Sequence, residues 1–367
     1  MSVPVRPSRD LRLDILRGWL QISIFASHAT GSLIGAWGIH AAWGLSDSSE
    51  QFVLLSGFTL GSVFTLKALR DGEGVAAGDL LRRAARLWRT HLVVFLMFGA
   101  LVLWGEMRIP LPGEVDRLGW RLFADQPVAA LAAGALLLYQ PVFLDILPVF
   151  LFGMLLLPPF LWLFARWGMA AMALPLGLYA AAQAGFRLPQ LRETGFEPLA
   201  WQLLFLLGAV FGRRALLAGA AIGRSRAGIA LAAAILGFGL WHRLAQHGWA
   251  PGTPFDPALL EDKTFLGLPR LAHGLALAYL VAVLVPRNRP WMQGAAAQVM
   301  AAIGRHSLQV FCLGLFLSWG AATLFRLYPG AAWLDPLAIG AGVLALALFA
   351  LALERRRFAP PAAAAAR

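Results

Sequence analysis

Two stretches decide the reading of this chain: RDLRLDILRGWLQISIFASHATGS at residues 9–32 and SDSSEQFVLLSGFTLG at residues 46–61. The first is apolar enough to predict a membrane-spanning helix near 13–35, yet it carries Asp14, Arg17, Gln21 and His28. At about 100° per residue, Arg17 and His28 are separated by nearly three whole turns, so both side chains share one face, roughly 16 Å apart along the axis. Asp14 and Gln21 fall close to the same stripe. Ionisable groups inside a span are costly, and by default they mark a pathway or a reaction site.

The rest of the chain fits a membrane setting. Of 367 residues, 59% are hydrophobic and only 14% charged, with a mean hydropathy of +0.68. This excludes a soluble domain and predicts an all-α polytopic membrane protein. Apolar windows of about 18 or more residues predict about ten transmembrane helices, near 13–35, 49–69, 90–107, 143–165, 168–185, 199–215, 227–243, 268–286, 298–325 and 332–353. The stretch 127–142, VAALAAGALLLYQPVF and its flank, is shorter and reads as interfacial or re-entrant. A single membrane domain is expected over 1–355, with a short disordered cytoplasmic tail over 356–367 that contains PPAAAAAR.

A net charge of +12 would suggest nucleic acid in a soluble chain. Here arginines cluster between apolar segments, as topology signals do, so the expected partner is the lipid bilayer and not nucleic acid. On the predicted spans, 22 of the 31 Lys and Arg residues fall on the side of the N-terminus, which predicts both termini in the cytoplasm. The start MSVPVRPSRDLRLD lacks a secretory cleavage design, so the first apolar run is expected to be retained. Cys312, the sole cysteine, excludes an internal disulfide and is expected to be a buried, inert thiol among Val310, Phe311 and Leu313.

Several polar residues stand out against this background. An imidazole is the natural base for neutral-pH chemistry, so His28 is the first candidate, against a purely structural histidine paired with a neighbouring helix. Asp47 and Glu50, three apart, share a helix face. One of them is expected to orient His28 as the third member of a triad does, or else Asp47 simply caps the second span. Gly57 and Gly61 permit close helix packing. Arg82, Arg86 and Arg89 lie at helical spacing with Arg83 adjacent, either as an ordinary positive-inside flank or as an anion-binding face. Asp262, Lys263, Arg270 and His273 lie at the outer entry to the eighth span, as snorkelling residues or as a binding site. Asp145, before the helix-breaking Pro148, and Gln202 are expected to face the protein interior. Arg305 and His306 pair with a carboxylate or take part in catalysis. Outer loops carrying Trp37, His40, Trp43, Trp120 and Trp249 read as an interfacial aromatic belt or as platforms for a polar acceptor. No metal site is assigned.

Six blocks in order, RDLRLDILRGWLQISIFASH, SDSSEQFVLLSGFTLG, LDILPVFLFGMLLLPP, FEPLAWQLLFLLGAVFG, DKTFLGLPRLAHGLALAYL and GRHSLQVFCLG, resemble the OpgC family. That family sits within the acyltransferase-three superfamily, whose hallmark of Arg, ten residues, His is matched by Arg17 and His28. The superfamily's Arg-x-x-Arg is matched by Arg83 and Arg86. SDSSEQF and LDILPVF depart from the pattern in details that leave the ionisable positions intact.

The resemblance implies a ten-span inner-membrane enzyme that O-acylates, typically succinylates, osmoregulated periplasmic glucans. The donor would be cytoplasmic succinyl-CoA or another acyl-CoA as co-substrate, with no tightly bound cofactor. On this reading His28 and Arg17, with Asp47 or Glu50, carry catalysis. Arg82, Arg83, Arg86, Arg89 and Asp14 hold the donor. Lys263, Arg270, His273, Asp145 and Gln202 meet the substrate, Lys263 or Arg270 pairing with the free carboxylate of a succinyl group. The rival reading is a proton-coupled transporter or glycan flippase in which Asp14, Arg17 and His28 form a relay.

Overall fold

The computed structural model describes residues 10–287 and 289–358, apart from the side chains of 357 and 358. The tail expected over 356–367 therefore falls almost wholly outside the described residues. The order of helices is α1 Leu11–His28, α2 Leu33–Trp37, α3 Ser48–Asp71, α4 Glu73–Arg108, α5 Glu114–Arg117 and α6 Arg121–Asp125. Then follow α7 Pro127–Ala135, α8 Leu147–Trp167, α9 Ala173–Gln183, α10 Pro198–Ala218 and α11 Arg226–Gln246. The chain ends with α12 Pro257–Glu261, α13 Leu268–Leu284, α14 Ala295–Arg305, α15 Ser307–Leu327 and α16 Leu334–Phe358. Among the described residues there is no strand.

Seven stretches are helical, long and apolar enough to cross a membrane: Ser48–Asp71, Glu73–Arg108, Leu147–Gln183, Pro198–Ala218, Arg226–Gln246, Ser307–Leu327 and Leu334–Arg356. The helix Leu268–Leu284 is apolar but shorter, and α1 holds Arg12, Asp14 and Arg17 within its 18 residues. Each of the ten predicted positions is helical, with four main differences in extent, and the third predicted span is only the later half of the 36-residue α4. The first predicted span stops at His28 because Gly31 turns the chain at φ +98° and Ser32 caps a new helix by accepting from the Gly35 N–H at 2.8 Å. The fourth and fifth join through a tight 3-10 turn at Gly168–Met172. The ninth is divided between α14 and α15 at His306. The short stretch after Gln126 forms only the nine-residue α7, about 14 Å long and unable to span.

The chain divides into two compact units, Gly44–Leu284 and a second made of 10–43 with 285–358 among the described residues. In the first, α3 and α10 cross backbone to backbone. A Cβ on Gly57 would meet the carbonyl of Phe205, and one on Gly212 would meet that of Phe58; Gly61 and Gly208 face Ala209 and Leu54 in the same way. Two small-xxx-small ladders thus interlock, and dispersion contacts between the opposed backbones replace the hydrophobic drive that lipid abolishes. Beside this seam, Phe95 of α4 packs on Trp120 at 5.0 Å and Phe123 at 5.7 Å between ring centroids.

In the second unit, α1 crosses α14 by the same device: Gly18 lies against the Met300 carbonyl and Gly304 against that of Asp14. The Ser318 hydroxyl of α15 donates to the Phe25 carbonyl at 3.0 Å, and the Phe25 ring lies over Gly342 of α16. Buried Phe25, Ile303, Val310 and Leu346 form its core. Arg305 and His306 both reach Glu354, at 2.9 and 2.7 Å, so the carboxylate partner expected for them is found on α16. Cys312 is a free thiol of intermediate exposure; its helix position leaves it half-buried where full burial was expected.

Candidate active site

In the Gly44–Leu284 unit, the polar residues of the second and eighth predicted spans come together. Asp47 is extended at φ −119° and caps α3, its Oδ1 accepting from the Ser49 N–H at 2.7 Å. The Asp47 N–H donates in return to Glu50 Oε2 at 2.8 Å, completing a capping box. The other oxygens receive cations from the α13 side. Arg270 Nε donates to Glu50 Oε1 at 2.8 Å and its Nη2 reaches Asp47 Oδ2 at 3.2 Å, while Lys263 Nζ donates to Asp47 Oδ2 at 2.7 Å. Two carboxylates and two cations balance, which is what makes the burial of Glu50 (1% exposed) and Arg270 (4%) tolerable. Burial works against the charge on Asp47, but Lys263 and Arg270 outweigh it and hold the carboxyl well below its ordinary 3.8.

Lys263 projects from a backbone whose carbonyls are all taken. Trp201 Nε1 donates to the carbonyls of Lys263 and Thr264 at 2.9 and 3.2 Å, and the Glu197 N–H also donates to Thr264 at 2.8 Å. Gln183 Nε2 donates to the Phe265 carbonyl at 2.6 Å and the Tyr179 hydroxyl to that of Leu266 at 2.9 Å. Leu266 itself sits at φ +50°, a strained setting for a branched side chain that these bonds sustain. The Lys263 side chain is 38% exposed, and its ammonium lies 5.0 Å from the centre of the Phe196 ring.

One turn along α13, His273 is buried against Ser46. The Ser46 N–H donates to His273 Nδ1 at 3.3 Å and its hydroxyl oxygen lies 2.7 Å from the same nitrogen. A backbone N–H only donates, so Nδ1 is the acceptor and the ring proton belongs on Nε2. The ring fits against Gly44 and Gly239, where any Cβ would strike it. Asp145 Oδ2 accepts from the Gly195 N–H at 2.8 Å. Gln202 is fully buried in α10 and donates to the Pro175 carbonyl at 2.8 Å.

The arginines of α4 lie at the far end of this unit, more than 20 residues along α3 and into α4. Arg83 Nε and Lys67 Nζ both reach Asp79 Oδ2, at 3.2 and 3.3 Å, and Arg82 reaches Asp79 Oδ1 at 3.6 Å. Arg82, Arg83, Arg86 and Arg89 are all exposed.

The second unit holds the α1 stripe. Asp14 and Gln21 are buried, and Arg17 and His28 are half-buried, with His28 the last residue of the helix. A largely apolar cavity of about 400 Å³, lined by Ile15, Trp291, Ala297 and Met300 among others, opens beside the N-terminal half of α1. His28 thus belongs to one unit, while Asp47 and Glu50, expected to orient it or to cap, belong to the other. There each of their four oxygens has a donor.

Sequence reading missed Ser46, the Asp79 acceptor, and a network on Glu261. His242 Nε2, Arg243 Nη1 and Gln246 Nε2 all lie within 3.0 Å of Glu261 Oε1. His242, Arg243 and Gln246 sit within one turn, and that clustering was the available signal. The comparison with curated proteins returns no match, and neither does that with solved structures. The model of the family described as OpgC protein matches residues 9–358, nearly the whole chain, and the protein belongs to that family.

Proposed function

We propose that this chain is a ten-span inner-membrane O-acyltransferase with both termini in the cytoplasm. It moves an acyl group, in the first place succinyl, from cytoplasmic acyl-CoA to a hydroxyl of a periplasmic glucan. Membership of the OpgC family implies glucan modification and a membrane context. The family match runs through both compact units, which supports reading them as one functional domain. Hydrogen bonds join the starts of α3, α10 and α13 and the end of α11, as an alternating topology requires of helix ends on one side.

The observation that carries the reaction is the stripe on α1, where Arg17 and His28 share a face with buried Asp14 and Gln21. His28 takes the proton of the glucan hydroxyl, and the alkoxide oxygen forms a bond to the thioester carbon. The carbon–sulfur bond breaks, and the CoA thiolate leaves with the proton returned from His28. Transfer is direct, without a covalent enzyme intermediate. Arg83 and Arg86, with Arg82 and Arg89, present guanidinium forks to the phosphates of CoA, and Asp14 lines the donor stripe. CoA is a co-substrate and no resident cofactor is needed. On the acceptor side, the half-exposed Lys263 exchanges Asp47 for the free carboxylate of a succinyl group, with Arg270, His273, Asp145 and Gln202 as the surrounding wall.

The test is acylation of isolated periplasmic glucan by membranes containing wild-type protein or His28→Ala, supplied with succinyl-CoA or acetyl-CoA and read by mass spectrometry. Wild type adds a succinyl mass and His28→Ala adds none. Equal acylation by both, or glucan export lost without any change in acylation, overturns the reading in favour of transport.

A further inference from the structure

The network on Glu261 lies outside everything used so far. Residues 247–262 fold back as a strap over the last two turns of α11. Trp241 Nε1 donates to the Pro251 carbonyl at 2.9 Å, and Phe255 packs edge-on to Phe238 at 5.9 Å. His242 Nδ1 lies 3.0 Å from Thr253 Oγ1. Glu261 closes the strap by placing Oε1 within reach of His242 Nε2 at 2.9 Å, Arg243 Nη1 at 3.0 Å and Gln246 Nε2 at 2.6 Å. Arg243 is itself anchored, its Nε donating to the Gly44 carbonyl at 3.0 Å.

Three donors on one oxygen fix the direction of the carboxylate. Among the described residues Oε2 has no partner, and the side chain is 29% exposed. The same strap carries exposed aromatic rings: Trp249 is 62% and Phe255 54% exposed. The Trp249 N–H is tied to the Leu244 carbonyl at 2.9 Å and its ring packs on His247 at 5.4 Å, so the face is held in place. Gln246, which holds Glu261, is three residues from Trp249, so their Cα atoms lie within about 11 Å.

An oriented carboxylate oxygen and exposed aromatic rings on the same strap suit a ligand with hydroxyl groups on its edges and C–H groups on its faces. A pyranose is such a ligand: its hydroxyls donate to a carboxylate in charge-assisted bonds, and its apolar face covers an aromatic ring. A plain membrane-interface belt requires the rings but no carboxylate gripped by three donors. We propose that the strap-covered end of α11, with Trp249, Phe255 and the free Oε2 of Glu261, is a glucan-binding subsite that holds the acceptor chain away from the reacting hydroxyl. This rests on the acceptor being a glucan, as in the proposed function.

The experiment measures binding of a gluco-oligosaccharide to the full chain in nanodiscs by calorimetry, alongside acyl-transfer kinetics. Trp249→Ala is the principal variant, since the ring is exposed and its loss leaves the Glu261 network intact; Trp249→Phe is the conservative partner and Glu261→Gln probes the carboxylate. Trp249→Ala and Glu261→Gln are each expected to raise the oligosaccharide Kd and the glucan KM by about tenfold, with kcat and the KM for acyl-CoA unchanged and Trp249→Phe restoring much of the loss. Unchanged oligosaccharide binding in both variants overturns the subsite, as does an effect of Trp249→Ala only on insertion into the bilayer. If wild type binds the oligosaccharide yet transfers no acyl group, the enzyme reading fails and the subsite stands. If wild type acylates glucan while the variants bind it normally, the subsite alone fails.

Discussion

At the scale of single residues, Arg270 is the side chain on which the Asp47–Glu50–Lys263 cluster of the Gly44–Leu284 unit depends. It satisfies Glu50, which has almost no contact with solvent. Arg270→Met leaves that carboxylate buried without its cation, a loss of about 3–5 kcal/mol, and thermal unfolding in detergent is expected at a clearly lower temperature. Adding Glu50→Gln removes the stranded charge and is expected to recover part of the loss; no recovery would show that Arg270 acts elsewhere. Asp47 gives a pH dependence of definite sign. Its carboxyl is held below the ordinary value by Lys263 and Arg270, so the folded state binds fewer protons there than the unfolded one. The stabilisation is complete above about pH 4 and is lost on acidification through the depressed value. An Asp47→Asn variant is therefore expected to show a flatter decline of stability in acid, measured by the melting temperature from pH 6 downward. The capping role of Asp47 was legible in SDSSE, because an acid three residues before a glutamate at a helix start has a local meaning. Its partners were not, since Lys263 and Arg270 lie over 200 residues away and nothing local announces an ion pair across that distance.

Among elements, the α3–α10 crossing is the clearest case of composition translated into packing. Gly57 and Gly61 were readable as a small-residue face, but the matching pair Gly208 and Gly212 was identifiable as its counterpart only in the structure. Spacing reveals that a helix seeks a close neighbour and stays silent on which one. Gly57→Val and Gly212→Val each push a branched side chain into opposed backbone and are expected to reduce stability by about 1–3 kcal/mol or more. Gly237→Ala in α11, where added bulk meets nothing within 4 Å, serves as the control and is expected to melt as wild type does. The break at His306 and the early stop at His28 escaped the sequence reading for a related reason. Hydropathy windows average over turns, whereas Gly31 at φ +98° and the Ser32 cap act at single positions.

For the whole molecule, the membrane class and the helical positions were legible because apolar length is a strong signal. The division into two compact units was not, since the second is assembled from residues at both ends of the chain. The proposed topology can be tested on a background of Cys312→Ser. Leu259→Cys, exposed on the strap, is expected to react with a membrane-impermeant maleimide in intact cells. Arg82→Cys, on the exposed face of α4, is expected to react only after the membrane is opened. The reverse pattern would invert the assignment of sides and remove the periplasmic acceptor.

The 36 residues of α4 correspond to about 54 Å of continuous helix, against about 30 Å of hydrocarbon. Its apolar half is the later one, and the earlier turns carry the exposed guanidinium groups, so on the proposed topology the excess length would bring those groups to headgroup depth. Under the proposed function, anionic phospholipids would then compete with the CoA phosphates for those groups, and divalent cations or a change in phosphatidylglycerol content would retune the helix's grip on both.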